Sequence, residues 1–239
     1  MEETPSEQFQ SKTTDTMYVF YGFKDSSGYG YIFPKKDHLN IGIGILWPFF
    51  KQKIHDKPYR VYKQFLDFLS KNNYVKGQSQ RRNFHGYFLP VGGPLQRTFT
   101  HRVLLCGDAA GFVNAFTGEG IYYAMVSGEH AAKVALRALE RNDFSEKSLS
   151  TYQTNWQREI GKELEVSVAI QRESFKRRHL IDFIVKAAQK NDLLRRSLAE
   201  YATGELGYQE LKRRAIFHFA PFYLEYKLRK IFQFTSKTG

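Results

Sequence analysis

The stretch 102–130, RVLLCGDAAGFVNAFTGEGIYYAMVSGEH, decides how the rest of this chain is read. Val103 to Cys106 is a short apolar run of the kind that forms a buried parallel strand, and Gly107-Asp108 ends it with a turn. Small residues lead to Thr117-Gly118-Glu119-Gly120, and an alanine-rich helix is predicted from Ile121 to Leu139. This order sets one carboxylate beside the backbone N–H groups of a helix start. The carboxylate accepts hydrogen bonds from sugar-like hydroxyls, and the helix N-terminus, with roughly half a positive charge, attracts an anion or an electron-rich oxygen. Gly118 and Gly120 let a ligand approach the backbone with no Cβ in the way. A bare Gly-Asp does no more than close a strand; strand, acid, glycine loop and helix together point to a ligand.

Upstream, residues 1–16 carry no apolar period and read as a disordered leader. From Met17 the runs MYVFYGF, YGYIFP and LNIGIGIL, separated by DSSG and KKDH turns, predict an antiparallel meander. Residues 51–72 switch to helical spacing, with Val61, Phe65, Phe68 and Leu69 on one face and Pro58 suited to a first turn. RRNFHGYFLPVGG, 81–93, reads as another extended stretch. In the second run Tyr29, Tyr31 and Phe33 point to one face of the strand, while Gly42 and Gly44 in the next strand leave room opposite. Such a stripe is either a core stripe with a glycine bulge or one wall of a cavity for a long apolar ligand. Downstream of the decisive stretch, Ser145 can cap the next segment, and the chain is helical in period near 148–175, 180–201 and 207–233.

The chain has 239 residues, 36 Lys+Arg against 24 Asp+Glu, a net charge of +12, and one cysteine. That length buries a full core with no need of disulfides or a structural metal, and Cys106 belongs to no metal-ligand spacing, so no metal site is expected. No stretch approaches the roughly 18 apolar residues of a spanning helix. The basic excess calls for an anionic partner, yet no nucleic-acid-binding pattern accompanies it. Residues 148–239 carry 17 basic and 10 acidic residues. Their end, ELKRRAIFHFAPFYLEYKLRKIFQF, reads either as a membrane-surface helix pair or as a helical subdomain that Pro221 splits and that packs its aromatics inward.

The decisive stretch resembles the second flavin motif of glutathione-reductase and p-hydroxybenzoate-hydroxylase-type FAD enzymes, in the form used by the geranylgeranyl reductase family. The resemblance implies FAD as cofactor, with Gly107 and Asp108 at the ribityl chain and Gly118, Glu119, Gly120 and Ile121 facing the pyrophosphate and flavin ring. Glu119 would either polarise the flavin edge or cap the helix. Where the family has proline this sequence has Ala115, a departure expected to loosen the loop. A second match is the family's substrate-cavity signature, read here as Tyr29-Gly30-Tyr31-Ile32-Phe33-Pro34, seven residues, then Gly42-Ile43-Gly44, with Tyr31 in place of tryptophan. It implies that Tyr29, Tyr31, Phe33, Pro34, Gly42 and Gly44 bind a polyprenyl lipid.

The resemblance spans about 17–140 and implies an α+β fold, a partial two-domain flavoprotein. Its parts would be a leader at 1–16, an antiparallel substrate-binding sheet at 17–100, an FAD-contacting strand-loop-helix at 101–145 and a basic helical region at 146–239. The Gly-x-Gly-x-x-Gly unit that binds the adenosine half of FAD is absent from the sequence. The chain therefore reads as a truncated or split reductase, completed by a separate N-terminal FAD-binding polypeptide. In a complete enzyme, FAD reduced by an external donor would deliver hydride to a C=C bond of a geranylgeranyl chain. No catalytic residue is assigned; His38 and His85 are ordinary surface by context. The rival expectations are a flavin monooxygenase or halogenase and a non-catalytic lipid-binding remnant. The expected location is the cytoplasm, peripheral at the membrane, with no nucleic acid bound.

Overall fold

The computed structural model describes residues 2–5, 9–11, 15–36, 38–77, 79–176 and 178–214. The chain divides into two compact units, Met1–Phe88 and Leu89–Gly239. The expected break at 100/101 thus falls about a dozen residues earlier, at the end of an exposed aromatic segment that belongs to no strand.

The first unit is a four-stranded antiparallel sheet in the order β1 (Glu2–Pro5), β5 (His38–Ile45), β4 (Gly28–Pro34), β3 (Tyr18–Tyr21). The meander expected from the sequence is β3–β4–β5. The disordered leader is corrected: Glu2–Pro5 pairs antiparallel with 38–41, and β2 (Phe9–Ser11) pairs with β6 (Val75–Gly77). Backbone hydrogen bonds to an open strand edge need no apolar period, so the sequence carries no sign of this pairing.

After the short helix α1 (Trp47–Lys53), helix α2 (Pro58–Lys71) starts with Pro58 in its first turn and buries Val61, Tyr62, Phe65, Leu66 and Leu69. Tyr62, Phe65, Leu66 and Leu69 meet Ile32, Leu39, Ile41 and Val75 to form the unit's core. Burying each large side chain contributes about 1.5–3 kcal/mol. Gly30 makes the contact possible, since a Cβ there would stand 2.3 Å from the Phe65 ring. Residues 81–93 form no strand; only a short 3-10 turn at Arg81–Asn83 is regular.

In the second unit, β7 (Phe99–Thr100) and β8 (Val103–Leu104) pair antiparallel in a two-residue ladder. This corrects the expectation of a buried parallel strand at 103–106: among the described residues its only ladder partner is β7, and Val103 is exposed. Helix α3 (Ile121–Glu140) matches the predicted span. Ser145 caps α4 (Glu146–Leu149), its Oγ accepting from the Ser148 N–H at 3.3 Å. There follow α5 (Thr151–Trp156), a π-helical turn at Gln157–Gly161, α6 (Lys162–Lys176), α7 (Arg178–Lys190) and α8 (Asp192–Ala202). The core gathers Phe112, Tyr123, Val134, Ala138, Tyr152, Trp156 and Ile160. Trp156 Nε1 donates to Thr98 Oγ1 at 2.9 Å and Gln153 Oε1 accepts from the Thr98 N–H at 3.0 Å, so α5 clamps the segment leading into β7. The basic tail beyond Arg214, including Pro221, lies outside the described residues.

Candidate functional site

The decisive stretch folds as strand, turn, loop and helix around three left-handed glycines, Gly107, Gly111 and Gly118. Gly107 has φ 54 and its N–H donates to Ser127 Oγ at 3.0 Å, while Ser127 Oγ donates to the Ala124 carbonyl at 3.1 Å. The strand end is thereby fixed to the second turn of α3. A 3-10 turn at Gly107–Ala110 then presents the exposed Asp108. Gly120 is the N-cap of α3 with no side-chain cap of its own, and a Cβ built on it would stand 3.3 Å from Asp108 Oδ1. The acid and the helix start predicted to be neighbours are therefore brought together. Glu119 Oε1 accepts from the Tyr122 N–H at 2.9 Å, so of its two expected roles the capping one is occupied. Ile121, the first helical residue, is 75% exposed.

The loop is held from inside. Asn114 is buried and its Oδ1 accepts from the N–H groups of Phe116 and Thr117, both at 3.1 Å. The Asn114 N–H donates to the Glu119 carbonyl at 2.8 Å and its own carbonyl accepts from Gly118, which has φ 75. Ala115 corrects an expectation. Its N–H donates to Ser167 Oγ at 2.9 Å and its carbonyl accepts from Gln171 Nε2 at 2.8 Å, both from α6. Proline has no N–H to give, so alanine here ties the loop down where loosening was expected. Cys106 is half-buried against the core, with the Tyr152 hydroxyl 3.5 Å from its Sγ.

The second set of candidates lies in the first unit. On β4 Gly28, Gly30 and Ile32 are buried, and Tyr29, Tyr31 and Phe33 alternate with them at intermediate exposure. The stripe is thus on the face opposite α2 and is not part of the core. Tyr31 and Phe33 stack at 4.4 Å, Tyr29 lies 6.3 Å from Tyr31, and Tyr21 of the next strand 5.8 Å from Tyr29. Burial pushes the Tyr31 hydroxyl up to about 12, with Tyr29 adding a smaller effect. The register sets Gly42 opposite Tyr31 and Gly44 opposite Tyr29. Gly42 does not leave room for a ligand as expected: the Tyr31 ring occupies that space, 2.3 Å from where a Cβ would be. Gly44 stays open, with its nearest neighbour 4.0 Å from the Cβ position. Pro34 closes the strand opposite Leu39. His85 is exposed and its Nδ1 is 3.1 Å from the Asn83 carbonyl.

Two features were not singled out in the sequence. One is the polar row Ser167, Gln171 and Ser174 on α6, all buried beside Leu164. Polar residues at helical spacing on a buried face are the signal that finds them. The other is the outer face of α3, where Ile121, Met125, Leu136 and Leu139 are exposed at 59–75%, with the small residues Gly128 and Ala132 between them. Among the described residues no group of three or more His, Cys, Asp or Glu could hold a metal, and no helix is long and apolar enough to cross a membrane.

No protein-family model matches the chain. Digeranylgeranylglycerophospholipid reductases do. The one from Methanocaldococcus jannaschii is 35% identical over 132 residues, 54% of this chain and 31% of the relative. That of Methanosphaera stadtmanae is 36% identical over 145 residues, 60% and 35% of the respective lengths. One from Methanococcoides burtonii is 30% identical over 210 residues, 79% and 49%. A geranylgeranyl bacteriochlorophyll reductase-like protein from Thermoplasma acidophilum has a solved structure that superposes with a TM-score of 0.60 at 20% identity, over 73% of this chain and 42% of that one, which shows a shared fold. The chain thus spans less than half the length of these relatives. Its strand-acid-glycine-helix segment and its aromatic strand with the paired glycines agree with this alignment, and the chain is similar to the geranylgeranyl reductases at 30–36% identity over part of their length.

Proposed function

We propose that this chain supplies part of an FAD-dependent reductase that saturates C=C bonds of a polyprenyl lipid. The observation that carries it is the exposed Asp108 carboxylate standing against the glycine that opens α3. The arrangement fits the ribityl and ring end of a flavin: Asp108 would accept from ribityl hydroxyls, and the amides at the start of α3 would face an anionic or electron-rich oxygen. Gly107 would position the acid, and Gly118, Glu119, Gly120 and Ile121 would form the loop surface against the cofactor. FAD supplies the hydride; the chain supplies binding, orientation and exclusion of water.

The lipid would lie along the aromatic face of the first unit, over Tyr29, Tyr31 and Phe33, with Gly44 leaving clearance and Gly42 seating the Tyr31 ring. Area burial at about 25 cal/mol per Å² suits a long isoprenoid, which has no polar groups to satisfy. This sequence has no Gly-x-Gly-x-x-Gly unit for the adenosine half of FAD, which would be held outside it, by a preceding segment or by a separate FAD-binding polypeptide. The exposed stripe of α3 is the surface we assign to that contact. A lipid substrate and a net charge of +12 favour a peripheral position at the cytoplasmic face of a membrane.

The test is reconstitution: the chain, a geranylgeranyl-reductase FAD-binding polypeptide and chemically reduced FAD are combined with digeranylgeranylglycerophospholipid, and the lipid mass is followed. Gain of two mass units per double bond, absent when the chain is omitted, is the expected result. Lipid binding without any mass gain would leave a non-catalytic lipid-binding role, which the aromatic face supports independently of flavin.

A further inference from the structure

Behind the 114–120 loop lies a buried polar chain that the proposed chemistry does not use. Asn114 spends its Oδ1 on the N–H groups of Phe116 and Thr117, so its Nδ2 is the atom that meets the Tyr123 hydroxyl, at 3.3 Å. The Tyr123 oxygen accepts that bond, and its proton is directed at Glu163 Oε1, 3.3 Å away. The order of donors is fixed from the loop to α6: Asn114 amide, Tyr123 hydroxyl, Glu163 carboxylate. Asn114 and Tyr123 are each 3% exposed, and Glu163 is half-buried.

We propose that Glu163 is a positioning residue for the loop, its ionised carboxylate holding Tyr123 and Asn114 in the one orientation that leaves Asn114 Oδ1 on the loop amides. A protonated carboxyl is a weaker acceptor, and with its proton on Oε1 it is a donor. Tyr123 then turns its own proton toward Asn114 Nδ2, donor against donor, and the amide has to rotate and release Phe116 and Thr117. The groups facing the carboxyl from the packed elements are Tyr123 on α3, Tyr201 on α8, and the backbone at Gly207, with Tyr208 acting on Tyr201. Burial pushes the Glu163 carboxyl above the usual carboxylate range, and the Tyr123 bond offsets this only in part. The Tyr201 hydroxyl, buried on α8, stands near enough to Asn114 and Glu163 to act on both without making a hydrogen bond of full geometry. An ionised group kept in such surroundings costs stability, as groups retained for local geometry commonly do. The π-helical turn at Gln157–Gly161 ends directly before Lys162 and Glu163 and sets where the carboxyl enters the cluster.

The flavin reading supplies the meaning of the loop, but the test is made on the ligand-free full chain and stands whether or not flavin binds. Amide hydrogen exchange, corrected for intrinsic rates, is measured for Phe116–Gly118 from pH 8 down to pH 4, with α5 amides as reference. Loop protection in the natural chain should fall about fivefold as Glu163 takes up its proton, the difference between a charge-assisted and a neutral hydrogen bond. Glu163→Gln, whose amide oxygen still accepts from Tyr123, should keep intermediate protection with no pH dependence, and Glu163→Leu should lose it at every pH while α5 stays protected. A pH-independent loop in the natural chain, natural protection in Glu163→Leu, or an equal loss across α5 would each overturn the proposal.

Discussion

Replacing Ser167 with alanine isolates the tie between α6 and the candidate loop. The Ser167 side chain is fully buried, its Oγ accepts from the Ala115 N–H at 2.9 Å and donates to the Leu164 carbonyl at 2.7 Å, and Ala115 is itself 4% exposed. Alanine leaves the Ala115 N–H buried with no acceptor, at a cost of about 1–3 kcal/mol. The Leu164 carbonyl keeps its helical bond, so the loss there is small, and about 2 kcal/mol is expected in total. For a unit of this size that is a fall in Tm of roughly 4–8 °C. The chain has two tryptophans: Trp47 in the first unit, and Trp156, buried, in the second. In a Trp47→Phe background, Trp156 fluorescence therefore follows the second unit alone through thermal and urea unfolding. A Ser167→Ala unit as stable as the natural one would refute the account of how the loop is held.

Other outcomes follow from the same geometry. Gly42→Ala places a Cβ 2.3 Å from the Tyr31 ring, so the ring must swing out; the Tyr31 hydroxyl, now pushed up to about 12, should titrate closer to 10 in an NMR-detected titration, and an unmoved value would refute the packing. Glu163 is an acid whose folded-state pKa is raised, so the stability it contributes is present at low pH and lost as the pH rises through that pKa. Glu163→Gln should accordingly raise Tm over the natural chain near pH 8, with the gain vanishing on acidification. Met125→Glu with Leu136→Glu alters only exposed positions on α3 and should change the unit's stability by no more than about 0.5 kcal/mol while abolishing association with an FAD-binding polypeptide in sedimentation.

The parts of the fold that the sequence made legible are those where local chemistry and tertiary packing agree. Gly107-Asp108, the glycines at 118 and 120 and the apolar start at Ile121 specify turn, loop and helix residue by residue, and α3 lies where its pattern puts it. The alternation of Tyr29, Tyr31 and Phe33 gave the right face of β4, but only the packed sheet shows that Gly42 seats the Tyr31 ring. What was not legible depends on partners far away in the chain. Ala115 meets Ser167 and Gln171 across more than fifty residues, Glu2–Pro5 pairs with β5 through backbone alone, and β8 stops after two residues because no further strand joins it among those described. The Asn114, Tyr123 and Glu163 chain is assembled from three elements, and no single window of sequence contains it.

The central claim, that Asp108 and the start of α3 form the ribityl and ring end of a flavin site, is tested most directly with riboflavin, which carries that end and no adenosine. Titrating the chain into riboflavin and following flavin fluorescence should give saturable quenching, weakened about tenfold or more in Asp108→Ala, as loss of a charge-assisted hydrogen bond requires. No saturable quenching, or the same affinity in Asp108→Ala, would contradict it.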